Sequence, residues 1–285
     1  MDSRLQKRAG ARVLASLAGT FLLAAGILKA DTLTWTGAGN GAFWSDPANW
    51  SSDGSHTVPQ SGDSVIACVD VGCNVTNDIV GLALPYLELR YKTSSSTSAA
   101  RYADYYGEKI TLTGGTNALK GRYVGSGYNA SLDRLRCHIP FELSAGTNTF
   151  DLTSFRLHQK GVISGPGLLF VKTASYYTPQ AANTYTGGTV LSGGNVDPSA
   201  PSNYASNTPY GDESKLVTVT GNTVQRIYFM PVNYNFAIEN QSGRNAADMT
   251  FWLTRQRPQC STARSRGKGC ALRWRGAIRP RLTIR

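Results

Sequence analysis

Cysteine is scarce, with five residues in 285 (Cys68, Cys73, Cys137, Cys260 and Cys270), too few for the disulfide framework that holds small extracellular domains together. Cys68 and Cys73 lie close enough in sequence to form a candidate local disulfide. As a lone C-x4-C pair they lack the second pair of a zinc site. Histidine is scarcer still. His56, His138 and His158 are scattered, and none stands in an H-E-x-x-H arrangement. There is no G-x-S-x-G nucleophile elbow and no G-G-x-G-x-D calcium repeat. Gly37, Gly39 and Gly41 are no dinucleotide fingerprint, because Trp35 and Trp44 flank them and no strand-to-helix context surrounds them. Asp46 and Asp53 are isolated acids and read as turn residues. The expectation is no catalytic residue, no metal ligand and no cofactor. Helical Ala/Leu/Glu/Lys periodicity is also missing after residue 31.

What is present begins with an export signal. Arg4, Lys7, Arg8 and Arg12 precede a charge-free, mostly apolar run over residues 13–28, with small residues at the candidate cleavage points after Gly26 or Ala30. This is the pattern of a secretory signal peptide, and the run falls short of the roughly 20 residues of a membrane span. No later run is long enough, so residues 1–30 read as a signal, the mature chain as exported to the extracellular space or outer cell surface, and no transmembrane span is expected after cleavage. The net charge of +11 is concentrated at the ends. Residues 1–30 carry +4 and residues 255–285 carry +10, leaving −3 on the body between them. A mildly acidic body shows no nucleic-acid footprint.

The body is dense in Gly, Ser, Thr and Asn. Short β-branched or aromatic runs, such as KITLT at 109–113, GLLFVK at 167–172 and KLVTVT at 215–220, end in Gly or Asn turns. That spacing predicts an all-β architecture. Similar segments recur about 100 residues apart: 106–114 with 210–221, 139–142 with 236–239, and 149–152 with 250–253. They suggest two copies of one module, each holding several coils of roughly 20–30 residues. The expected layout is a Trp-rich cap with first coils at 31–99, a first module at 100–209, a shortened second copy at 210–253 and a basic irregular tail at 254–285. The tail has ten Lys or Arg and no acid, and it interrupts the second copy. It reads as a shifted reading frame or truncation lying outside the fold, with a basic arm for acidic polymers or membranes as the alternative.

Two segments resemble known sequences. TWTGAGNGAFWSDPANW at 34–50 resembles the opening of large secreted bacterial proteins. GVISGPGL at 161–168, followed by NTYTGGTV at 183–190 and Gly193-Gly194, resembles the autotransporter-associated β-strand repeat of Gram-negative-type bacteria. The resemblance implies a right-handed parallel β-helix, a β-solenoid incomplete at its C-terminus, with Gly165, Gly167, Asn183, Gly187, Gly188, Gly193 and Gly194 at its turns. YYTPQAA at 176–182 lengthens the repeat and is expected to loop out from a corner. The implied role is a non-enzymatic passenger-type structural protein at the cell surface. Its partners are not named by the sequence; extracellular polysaccharide or the cell surface itself is the candidate, and nucleic acid is not. Two alternatives stand beside it. One is a carbohydrate-binding adhesin that stacks sugars on Trp35, Trp44 and Trp50, residues that otherwise cap the first coil. The other is a polysaccharide lyase or glycosidase, disfavoured because the acids are spread singly along the chain.

Overall fold

The computed structural model describes residues 30–70, 73–93, 101–125, 133–153, 155–198, 208–225, 235–239, 249–251, 265–266, 269–273 and 282–284. The expected signal peptide lies outside these residues. Those described form an all-β structure built on a large, mostly parallel sheet.

The strands in chain order are β1 (Thr32–Trp35), β2 (Trp50–Ser52), β3 (Ser64–Asp70), β4 (Asn74–Asn77), β5 (Ala83–Leu84), β6 (Tyr86–Thr93), β7 (Arg101–Gly107), β8 (Ile110–Leu112), β9 (Leu119–Gly125) and β10 (Asp133–Cys137). They continue with β11 (Phe141–Leu143), β12 (Thr147–Leu152), β13 (Arg156–Gln159), β14 (Ile163–Ser164), β15 (Leu168–Thr173), β16 (Tyr176–Pro179), β17 (Thr189–Val196), β18 (Leu216–Gln225) and β19 (Asn235–Glu239). Three parallel rows result. The first is β1-β3-β6-β9-β12-β15-β17-β18-β19. The second is β4-β7-β10-β13-β16, ending on the second half of β17. The third is β5-β8-β11-β14. Parallel neighbours need a long crossover, and here the other two rows supply it. Leu87 on β6 pairs with Leu119 on β9, thirty-two residues on, with β7 of the second row and β8 of the third between them.

Period-two alternation sends one set of side chains into a shared core. In the first row the inward column reads Leu33, Val65, Leu87, Leu119, Phe150, Val171, Leu191 and Val219, all buried. The second row adds Tyr105, Cys137, Leu135, Leu157 and Tyr177, and the third Ile110, Phe141 and Ile163; together they form one contiguous cluster. At the N-terminal end β1 turns back antiparallel through β2. There Trp35 and Trp44 both meet Trp50 edge to face, with ring centroids 5.0 and 5.5 Å away.

Three expectations are corrected. Residues 176–182 do not loop out: Tyr176–Pro179 is strand β16, with Tyr177 in the core. Two β-favouring tyrosines and a proline at the strand's last position suit the second row. The hundred-residue similarity joins segments from different rows, since Ile110–Leu112 and Phe141–Leu143 belong to the third and Leu216–Gln225 and Asn235–Glu239 to the first. Every row alternates apolar and polar residues after a Gly turn, so local text does not tell one row from another. The tail is not wholly apart either. The backbone of Gly269–Arg273 pairs antiparallel with β19, and that of Leu282–Ile284 with Met249–Phe251. An open edge strand offers free N–H and C=O groups that an extended segment can take up.

Candidate binding face

The repeat-motif residues are structural. Asn183 is buried, accepts from the Ile163 N–H (2.8 Å) and donates to the Pro209 carbonyl (2.8 Å), which ties three successive turns together. Tyr185 lies in the core with its hydroxyl 2.6 Å from Thr189 Oγ1, which donates to the Tyr210 carbonyl. Gly165, Gly188, Gly193 and Gly194 have positive φ. Gly167 and Gly187 instead allow close approach, a Cβ on Gly187 falling 2.3 Å from the Gly167 carbonyl carbon. The tryptophans are packed as a cap. Trp44 is fully buried, Trp35 and Trp50 nearly so, and Trp50 Nε1 donates to the Trp44 carbonyl (2.7 Å). Buried rings offer no face to a sugar, so the stacking role does not fall to them.

Asp46 caps the 3-10 turn Pro47–Asn49 and Asp53 accepts the Thr32 N–H, both as turn acids do. His56 bonds Asp63 (3.0 Å) beside Asp31, away from the other histidines. Cys68 and Cys73 are free thiols on a cleft of about 270 Å³ that Trp35 and Lys92 also line. The expected disulfide is not formed. Burial raises the Cys68 pKa, which keeps it a protonated thiol and a poor metal ligand. Cys137, in the core, is pushed up to about 12 by burial.

The residues that do come together are ones the sequence shows only as scattered. The outward side of the second row carries Tyr102, Asp104 and Tyr106 on β7, Arg134, Arg136 and His138 on and just after β10, Arg156, His158 and Lys160 on and just after β13, and Tyr176, Thr178 and Gln180 on and just after β16. The register stacks them in columns across the strands. One column runs Asp104, Arg136, His158, Thr178. The adjacent column runs Tyr102, Arg134, Arg156, Tyr176. Strand spacing sets the rungs about 4.8 Å apart.

The side chains are organised rather than loose. Arg136 donates to Asp104, and His138 Nε2 lies 3.0 Å from the other Asp104 oxygen. Tyr106 stacks on His138 at 4.3 Å. The Arg136 guanidinium lies 4.3 Å over the Tyr102 ring, and that of Arg156 lies 4.5 Å over Tyr176. Hydrogen bonding to Asp104 raises the Arg136 pKa. Desolvation lowers that of His138, with Asp104 opposing it. His158 is lowered to about 3, by burial first and then by Arg156, Arg134 and Lys160. Both imidazoles are therefore neutral at pH 7. Buried polar atoms without a hydrogen-bond partner recur here: Arg134 Nε, Arg136 Nε, His158 Nε2 and Thr178 Oγ1.

This face joins Asp with Arg and Lys, the grouping that acids spread singly along the chain do not suggest. A trace of it is visible in RLRCH at 134–138 and RLHQK at 156–160, two strings with Arg, His or Lys at alternate positions. Compared with known proteins, the chain matches no sequence family, no curated protein and no solved structure.

Proposed function

We propose that the chain is an exported, non-enzymatic β-solenoid of passenger type, a right-handed parallel β-helix whose second row binds an extended glycan. The three rows recurring in constant order support the solenoid reading, as do the residues shared with the autotransporter-associated repeat. The single observation behind the binding role is the column Tyr102–Arg134–Arg156–Tyr176, which sets aromatic rings and planar guanidinium groups in line across successive strands. Flat rings stack on pyranose faces, and fixed donors meet hydroxyl groups. Export to the cell surface fits the basic and apolar segment at the N-terminus. A non-enzymatic role fits the face, because its Asp104 is already engaged by Arg136 and His138 and, among the described residues, no second carboxylate stands across from it to form an acid–base pair.

The test is retention on a panel of immobilised polysaccharides, comparing the parent chain with Tyr102→Ala/Tyr176→Ala. Binding that falls at least about tenfold in the double variant is the expected result; loss of one good aromatic stack is of that order. Equal retention by both proteins, or release of unsaturated or reducing ends from the polymer, would overturn this assignment.

A further inference from the structure

We propose that the polymer taken by this face is an acidic polysaccharide, its carboxylate or sulfate groups held by Arg134 together with Arg156 and Lys160 on the neighbouring strand. This rests on the reading of the second row as a glycan-binding face. Two rows of the same sheet treat charge differently, and the difference carries the inference.

On the first row the outward column reads Glu88, Lys120, Asp151, Lys172. Signs alternate along it, and Lys172 lies 3.8 Å from Asp151. Glu88 is also bonded by Tyr86 and Arg90. That column neutralises itself and asks for no ligand. On the second row Arg134 precedes the Leu135↔Leu157 pair and Arg156 opens the partner strand, which places two cations on adjacent rungs. Like charges in register across strands destabilise a sheet. Arg134 has no carboxylate partner among the described residues; its Nη1 reaches only the Tyr102 hydroxyl, at 3.4 Å, and its Nε is buried without an acceptor. The His158 Nε2, in a side chain 9 % exposed, is left in the same state one column across.

The carboxylates on this face stand at its two ends. Asp104 is engaged by Arg136 and His138 at one end, and Asp197 follows β17, beyond Thr178, at the other. Between them stand Arg134, Arg156 and Lys160, on a body whose net charge is −3. A local concentration of cations against that background is a feature of this face, not of overall composition. Guanidinium groups pair with carboxylate or sulfate in two parallel hydrogen bonds, and such charge-assisted bonds are the strong ones. The columns cross the strands, so acidic groups repeating along a glycan would meet cations at successive rungs. A nucleic-acid duplex fits less well. It carries one charge per about 1.7 Å and needs a broad basic surface, which a small patch on an acidic body does not supply.

The experiment uses the full chain in titrations with four polymers in two matched pairs: polygalacturonate and its methyl ester, and dextran sulfate and dextran. Duplex DNA is the fifth probe. Affinity at least about tenfold higher for the acidic member of a pair is expected, falling with added salt, and the pair that shows it tells carboxylate from sulfate. Arg134→Gln should weaken that binding about tenfold while leaving the thermal midpoint unchanged or higher, since it relieves a like-charge contact. Lys120→Gln, on the self-neutralising column, should leave binding unchanged. Equal affinity for both members of each pair would overturn the acidic assignment while leaving the glycan face standing. No binding to any of the four would overturn the glycan face itself. DNA bound as tightly as the acidic glycans, with the same Arg134 dependence, would also overturn the proposal.

Discussion

His158 shows at the scale of one residue how the proposed binding face costs stability at low pH. Its ring is buried with Arg134, Arg156 and Lys160 around it, so protonation is opposed from several sides at once and its pKa is about 3. An unfolded histidine titrates near 6.5. Between those values the unfolded chain holds a proton that the folded chain does not, so stability rises with pH across that window and is lost as pH falls from about 6.5 toward 3. The slope is at most about 1.4 kcal/mol per pH unit. Urea midpoints measured between pH 7 and pH 4 should fall for the parent chain, and His158→Gln should flatten part of that fall. An unchanged slope in the variant would mean that the imidazole is solvated or already charged.

At the scale of the element, strand β17 joins two rows. Thr189 to Ser192 pair with β15 in the first row, and Asn195 and Val196 pair with β16 in the second. The register against β18 shifts between Ser192 and Gly194. Gly194 sits at that bend with φ 65°, and a Cβ there would lie 2.7 Å from the Thr173 carbonyl oxygen and 2.9 Å from the Thr173 methyl carbon. Strain and overlap act together, so Gly194→Ala should lower stability by about 1–3 kcal/mol. Gly62→Ala provides the comparison, because φ is 99° but nothing lies within 4 Å; it should cost less. Thermal midpoints that rank the two variants the other way would refute the close-packed corner.

The turns of this element were legible in the sequence because glycine and asparagine are chosen by backbone geometry, which is local. GPG lies between β14 and β15 and NTYTGG between β16 and β17, whereas Gly193-Gly194, expected at a turn, fall inside β17 at its register shift. The Trp cap was legible for a similar reason, since three rings within sixteen residues separated by Gly and Pro turns fold onto one another. Row membership was not legible. Tyr176–Pro179 and Ile110–Leu112 alternate as any half-buried strand does, and only pairing with partners some 20–30 residues away assigns them. The candidate face is harder still. Arg134, Arg156 and Tyr176 become neighbours only through the register of three strands, and single-sequence patterning holds no register between rows.

At the scale of the whole molecule, strands pair with their neighbours along each row, and on the proposed solenoid reading stability is a sum of repeat and interface contributions that need not be lost everywhere at once. The end that the tryptophans close is the place to see this. Trp44 is completely buried, packs edge to face on Trp50 and sits against β4 through the Trp44 N–H to Thr76 carbonyl bond (3.0 Å). Trp44→Ala should cost about 3–5 kcal/mol, from lost burial and from the cavity left behind. Strands β8 to β17 pair with neither β1 nor β2, the strands that carry Trp35 and Trp50. They keep Phe141, Phe150, Leu169 and Leu191 enclosed by their own neighbours. Hydrogen exchange in Trp44→Ala should therefore quicken in residues 32–77 and stay slow in residues 141–191, with glycan binding by the second row retained. The loosened first coil would present the strand edges of β1 and β3, and light scattering should detect association on mild heating. If exchange rises uniformly across all coils, the chain unfolds as one cooperative unit, and the cap is a keystone of the whole fold instead of a cover for its first coil.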